Sequence, residues 1–269
     1  MLKKFTPLLF IFLFTTCGGV PTTLSSFFTS SSVTYPDAFF STTTAESGLV
    51  FIGAVGRRSN PKETVQLALL NAAKQVAIFY DVSGEYAVES SIGSGAFDYI
   101  YNTYTSLHFN EEDAAQYIDA LQFDADKDTI EIENTFFIRT TYPSSLPSPV
   151  NYRIEYSGAN KKPDWVDNPP SEIQGYEVGV GFSGRYSSMA DTYRNSCKNA
   201  IFTIIRNVNS VSKSSDLLYS NTSNLFGYKT ANDNITYSFG RLNGFYILDT
   251  WIDPAAKTIW TLAIARKAD

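Results

Sequence analysis

Cysteine is almost missing from this 269-residue chain: Cys17 and Cys197 are the only two, so a disulfide-stapled scaffold is excluded. His108 is the single histidine, which excludes a His-based metal cluster built within one chain. Basic residues are also scarce, with 21 Lys and Arg against 27 Asp and Glu and a formal net charge of −6. That deficit excludes nucleic acid as a partner, because affinity for a phosphate backbone comes from cations. Beyond the first 14 residues no long apolar run recurs, and with mean hydropathy at −0.13 the body reads as soluble. The 43% of hydrophobic residues must therefore build a core that holds without staples.

What is present begins at the amino end. Lys3 and Lys4 precede an apolar stretch from Phe5 to Phe14, and Thr15 and Thr16 lead into Cys17. A spanning helix needs about 20 apolar residues, roughly twice what is here, whereas small residues ahead of a cut are a secretory pattern. The segment resembles a bacterial lipoprotein export signal, with Phe14 standing where Leu is usual. The resemblance implies that residues 1–16 are a removable signal peptide and that the Cys17 thiol accepts a diacylglyceryl group. Cys17 is then the lipid attachment site that holds the protein on a membrane. The expected location is the bacterial cell envelope, lipid-anchored at the outer membrane and facing the periplasm. Residues 17–34 follow as a Ser/Thr-rich tether, including Ser30-Ser31-Ser32, too poor in apolar surface to offset its ordering entropy. Such a flexible spacer has a root-mean-square span of roughly 25 Å.

The body then repeats itself. Pro36-Asp37-Ala38-Phe39 has a counterpart in Pro163-Asp164-Trp165-Val166, Gly56-Arg57 in Gly184-Arg185, and Asn71-Ala72 in Asn199-Ala200. Apolar spacing repeats too, with Val65, Leu69, Ala72, Val76 and Tyr80 matched by Tyr193, Cys197, Ala200, Ile204 and Val208, one helix face in each case. Short apolar runs with glycine, Leu49 to Gly53 and Tyr176 to Gly181, predict a strand ahead of each helix. Leu121-Gln122-Phe123 and Thr129 to Ile132 predict a hairpin about an Asp-rich turn, and Tyr246 to Leu248 with Thr258 to Thr261 predict another. The expected fold class is α+β: two related units, each an amphipathic helix packed on a small antiparallel sheet. Residues 35–142 form the first unit and 151–269 the second, joined by a linker over 143–150 that carries Pro143, Pro147 and Pro149.

Chemical motifs are few. Gly179-Val180-Gly181-Phe182-Ser183-Gly184 matches a dinucleotide fingerprint in letters, but Arg185 to Ser188 intervene before the helix and no carboxylate follows at the required distance. A strand-end glycine turn is the expectation there. Asp124-Ala125-Asp126-Lys127-Asp128 imitates the start of a calcium loop, yet position six is Thr129 and position twelve is Thr135. It reads as a solvated turn. Glu111, Glu112 and Asp113 suit the start of a short helix. Gly93-Ser94-Gly95 is not a nucleophile elbow, so His108 has no triad to join. Cys197, in the place of Leu69, reads as a small core hydrophobe. Phe97, Tyr99 and Tyr101 alternate as one strand face, followed by Tyr104, a stripe suited to core packing or to stacking on a glycan or peptide.

Pro163-Asp164-Trp165-Val166, then Gly179-Val180-Gly181, then a helix through Asn199-Ala200-Ile201 resemble the bacterial LPP-twenty envelope-lipoprotein family in tandem copies, the second the better match. The first copy has Phe39 for the Trp and Gly53-Ala54-Val55-Gly56 for Gly-x-Gly. The resemblance implies lipid-anchored envelope proteins without known catalysis; a similar domain occurs in a flagellar T-ring component. No catalytic, cofactor or metal residues follow from it. The expected function is non-enzymatic: protein–protein contacts in the envelope, as a structural or flagella-associated accessory, with the membrane and an envelope protein as partners. The alternative is an envelope lipoprotein that binds a ligand or glycan through the aromatic stripe or the cleft between units.

Overall fold

Both amphipathic segments are long helices in the computed structural model, which describes residues 37–42, 48–92, 99–143, 150–157, 162–214 and 233–267. A single turn, α1 (Asp37–Phe40), precedes them. Helix α2 (Pro61–Tyr80) starts where the Asn60 side chain accepts from the Lys62 amide and Pro61 supplies the first helical residue. Helix α3 (Met189–Asn209) starts at a reciprocal cap, in which the Asp191 amide donates to Ser188 Oγ and that hydroxyl donates to the Asp191 carboxylate. Small residues, Ala68, Ala72, Ala73 and Ala77, dominate the buried face of α2 and let it lie close to its sheet.

The first sheet has β1 (Leu49–Gly56), β4 (Thr129–Ile132) and β5 (Thr135–Tyr142) in the antiparallel order β1-β5-β4. The second contains β2 (Val82–Ile92), β3 (Tyr99–His108), β8 (Glu172–Ile173), β9 (Tyr176–Ser183), β10 (Ser210–Ser214), β11 (Asp233–Ile252) and β12 (Ile259–Lys267). Its order is β3-β2-β11-β12-β9-β8, and β10 also pairs with β11. A two-residue pair, β6 (Tyr156–Ser157) with β7 (Lys162–Pro163), leads into a 3₁₀ turn at Asp164–Val166. The fold is thus α+β with antiparallel sheets.

Two expectations are corrected. Leu121 to Phe123 does not form a hairpin with Thr129 to Ile132. Gln122 bridges Thr141 while β4 pairs with Thr135–Ile138, so both lie along the same side of β5, and the Asp-rich segment is an excursion between them. The true hairpin turn is Glu133-Asn134, where both residues have positive φ. The second sheet is also not confined to the second half. β2 continues from α2 and pairs with β11 from Val82↔Leu242 to Ser91↔Asp233, carrying β3 with it. One 20-residue strand, β11, thereby joins the two halves of the chain.

The core follows these layers. Thr261 on β12 meets Ser196 on α3, and Ala263 and Ala265 belong with Ile201, Ile204 and Ile205 of α3 to one apolar cluster. The neighbouring residues Leu262 and Ile264 belong to a second cluster with Trp165, Val166, Leu248 and Trp251, as strand alternation requires. That cluster also takes in Ala72, Val76 and Phe79 of α2 through Tyr246.

Candidate functional site

The contacts by which each helix meets its first strand recur 128 residues apart. Asn71 Nδ2 donates to the Ala54 carbonyl at 2.8 Å, and Asn199 Nδ2 donates to the Phe182 carbonyl at 2.7 Å. Thr64 Oγ1 accepts from the Arg58 amide and Thr192 Oγ1 from the Tyr186 amide, both at 3.1 Å. Gln75 and Thr203 each donate to the next strand carbonyl along, Ile52 at 2.8 Å and Val180 at 3.0 Å. Helix side chains thus occupy backbone groups on the outward side of β1 and β9, where another strand would otherwise add. Along α3 the sequence signal is the spacing of Asn199, Thr203 and Asn207, the last donating to Val178. Polar residues at i, i+4 and i+8 on the flank of an apolar face carry this information, although composition and apolar periodicity alone pass over it.

Gln75 has the heaviest duty of the set. Its Oε1 accepts from the Ile52 amide at 3.4 Å while Nε2 donates to the Ile52 carbonyl and, at 3.3 Å, to Tyr193 Oη. Gln75→Leu leaves both backbone groups of a residue only 1% exposed without that partner. A loss of about 2 kcal/mol is expected, against about 0.5 kcal/mol for Asn199→Ala at an exposed position midway along α3, measured as shifts in urea midpoint.

Gln75 and Tyr193 also sit in the wall of a cleft of about 330 Å³ between α2 and α3. Ile52 and Ala54 of β1 line it from one side, Leu107 of β3 and the following Phe109 from another, and Phe245 and Ile247 of β11 also contribute. Cys197 faces the same space. Its thiol is pushed from 9.0 up to about 12 by burial, which outweighs hydrogen bonds with Thr261, Tyr193 and Ser196 acting the other way. At neutral pH it is a protonated, apolar lining group. Burial likewise raises the Tyr193 hydroxyl well above its usual range. At the mouth stand three cations. Lys74 pairs with Glu111 at 3.1 Å and Arg194 pairs with Asp191, while Lys198 lies 5.5 Å from the centre of the Phe202 ring. A smaller polar recess of about 220 Å³ lies where the Glu133-Asn134 turn, Lys257 and the start of α3 converge.

The other residues singled out by sequence fall as follows. Cys17 and Phe97 lie outside the described residues, as do the side chains of Tyr99 and Tyr101. Gly179 and Gly181 meet α3 directly: a Cβ on Gly181 would stand 1.9 Å from the Ser196 carbonyl oxygen and 2.4 Å from the Ala200 nitrogen. The glycine motif therefore serves close strand–helix approach. Gly53 repeats it, with a Cβ at 1.9 Å from the Ala68 carbonyl oxygen. Asp124 holds the Asp126 amide at 3.0 Å and Lys127 at 3.2 Å, so the Asp-rich segment satisfies itself as a turn. His108 is exposed and its Nε2 meets Ser106 Oγ at 2.5 Å. Among the described residues, no three of His, Cys, Asp and Glu are grouped to hold a metal, and no helix is long and apolar enough to cross a membrane.

Tyr104 belongs to a feature that spans three strands. Ala87 of β2 pairs with Tyr104 on one side and with Tyr237 of β11 on the other, and Phe239 follows two residues along. Tyr104, Tyr237 and Phe239 are 61%, 43% and 51% exposed. Gly84 points the opposite way, toward Phe202 and Ile205, so the three aromatics lie on the face turned from α3. Tyr237 and Phe239 escaped the sequence reading because their partner strands, β2 and β3, are far off in the chain. No family model matches the chain, and neither does any curated protein or solved structure.

Proposed function

We propose that the chain is a non-enzymatic, lipid-anchored envelope protein in which two related strand–helix–hairpin units present an aromatic sheet face to a protein partner. The observation that carries the contact reading is the patch of Tyr104, Tyr237 and Phe239, because exposed, clustered aromatics are what interface centres are enriched in. Kinship of the units is supported by the recurring Asn, Thr and glycine contacts and by the equivalent strand orders β1-β5-β4 and β9-β12-β11. The anchor rests on Lys3-Lys4, the apolar run to Phe14 and Cys17, with residues 17–34 as its spacer. Outer-membrane placement and a flagella-associated role come with the LPP-twenty resemblance.

Photoreactive residues placed singly at Tyr104, Tyr237 and, as a control on α2, Lys62 test this in the native host. A discrete adduct from the first two and none from Lys62 is expected. Equal or absent labelling at all three positions defeats the contact reading. Radioactive palmitate should label the wild type and leave Cys17→Ala unlabelled; labelling of neither or of both defeats the anchor alone. A second reading, a small-ligand binding protein, is favoured by the cleft between α2 and α3.

A further inference from the structure

We infer that the cleft between α2 and α3 binds an unbranched carboxylic acid of about eight to ten carbons, its chain inside and its carboxylate at Lys198. This gives the ligand-binding reading a chemical class and depends neither on the anchor nor on the aromatic face. Size is the first argument. At ~30 Å³ for each water-sized share of volume, 330 Å³ holds about eleven, near the count of heavy atoms in such an acid. It stands at the lower bound of small-ligand sites, which are concave and mostly apolar with few polar groups.

Lining chemistry is the second. Ile78, Leu107, Ile201 and Phe245 come from four different elements and offer only hydrocarbon. The Cys197 thiol adds no charge, since burial keeps it protonated. The polar atoms of Gln75 are engaged with β1 and Tyr193. An acyl chain satisfies such a surface, and a sugar, with its many hydroxyls, finds too few partners.

Charge is the third. The chain as a whole carries −6, yet its cleft mouth is cationic. Lys74 and Arg194 are each tied to a carboxylate, Glu111 and Asp191. Lys198 has no carboxylate partner among the described residues; its neighbour is the Phe202 ring. One uncompensated cation beside an apolar cleft is matched by one anionic group at the end of a hydrocarbon chain. A phosphate, which needs several donors, is a poorer match.

Decanoate titrated calorimetrically into the full Cys17→Ser chain, purified without detergent, is the test. Saturable one-to-one binding is expected. Lys198→Glu should weaken it about tenfold, equivalent to the loss of one charge-assisted contact, while the same exchange strengthens binding of decyltrimethylammonium. Leu107→Trp, which fills the space, should abolish both. Lys198 is only half-buried, so its exchange leaves the core intact even if the Trp variant folds poorly. Absence of saturable decanoate binding overturns the inference. So does equal affinity for anion and cation in wild type and Lys198→Glu, which marks unselective adsorption.

Discussion

Gly181→Ala will unfold at a temperature roughly 6 to 12 °C below the wild type, the shift expected of about 3 kcal/mol in a domain of this size. The reason is position. The added methyl would lie 1.9 Å from the Ser196 carbonyl oxygen and 2.4 Å from the Ala200 nitrogen, both helix backbone and neither able to rotate away. Helix α3 must move off β9 by more than 1 Å, loosening the Asn199, Thr203 and Asn207 bonds to the strand carbonyls. Gly53→Ala should cost a similar amount, since its Cβ meets Ala68 and Ala72 of α2 in the same way. Gly184→Ala and Gly56→Ala meet nothing within 4 Å and should stay within about 0.5 kcal/mol of wild type. Thermal unfolding of the four variants checks the set. A harmless Gly181→Ala removes the close-approach account, and a harmful Gly184→Ala returns the third glycine of the motif to a role of its own.

The same pair of glycines shows what was legible in the chain. Periodicity of 3.6 placed both helices, and the short glycine-bearing apolar runs placed β1 and β9, because each signal is local. The reason for the glycines was local as well, once Ala68, Ala72, Ser196 and Ala200 were seen as the small residues facing them. Long-range pairing was not legible. Nothing in Val82 to Ser91 announces that its partner is Asp233 to Leu242, about 150 residues away, and the half-by-half reading kept the two sheets apart. The aromatic face inherits that blindness, since Tyr104 is visible as part of a stripe but becomes a patch only when β11 brings Tyr237 and Phe239 beside it. The sequence offered only a cleft between the two units, with no residues to line it. Its size and its apolar lining depend on where Leu107 and Phe245 enter, from strands that the pattern did not join.

Alkali should destabilise the fold steeply, and Cys197 should set where the fall begins. Burial holds its thiol near 12 in the folded chain against 9.0 when exposed. Between these values the unfolded chain has lost the proton and the folded one has kept it. Stability contributed by the neutral thiol is therefore complete below pH 9 and declines as pH rises toward 12, by about 1.4 kcal/mol for each unit. At pH 11 the loss from this group alone is roughly 3 kcal/mol, a large part of the 5 to 15 kcal/mol typical of a domain. Tyr193 and Tyr246, both 1% exposed and both raised by burial, add to the slope above their ordinary 10.0. Of these three groups only the thiol acts between pH 9 and 10, which separates it from the others. Urea midpoints measured from pH 8 to 11 should fall from pH 9 in the wild type and only from about pH 10 in Cys197→Ala. The alanine itself should cost about 1 kcal/mol at pH 7 for the small void beside Tyr193 and Thr261. Identical pH profiles for the two proteins would show that the thiol exchanges with solvent in the folded state and that the wall of the cleft it lines opens far more readily than its packing implies.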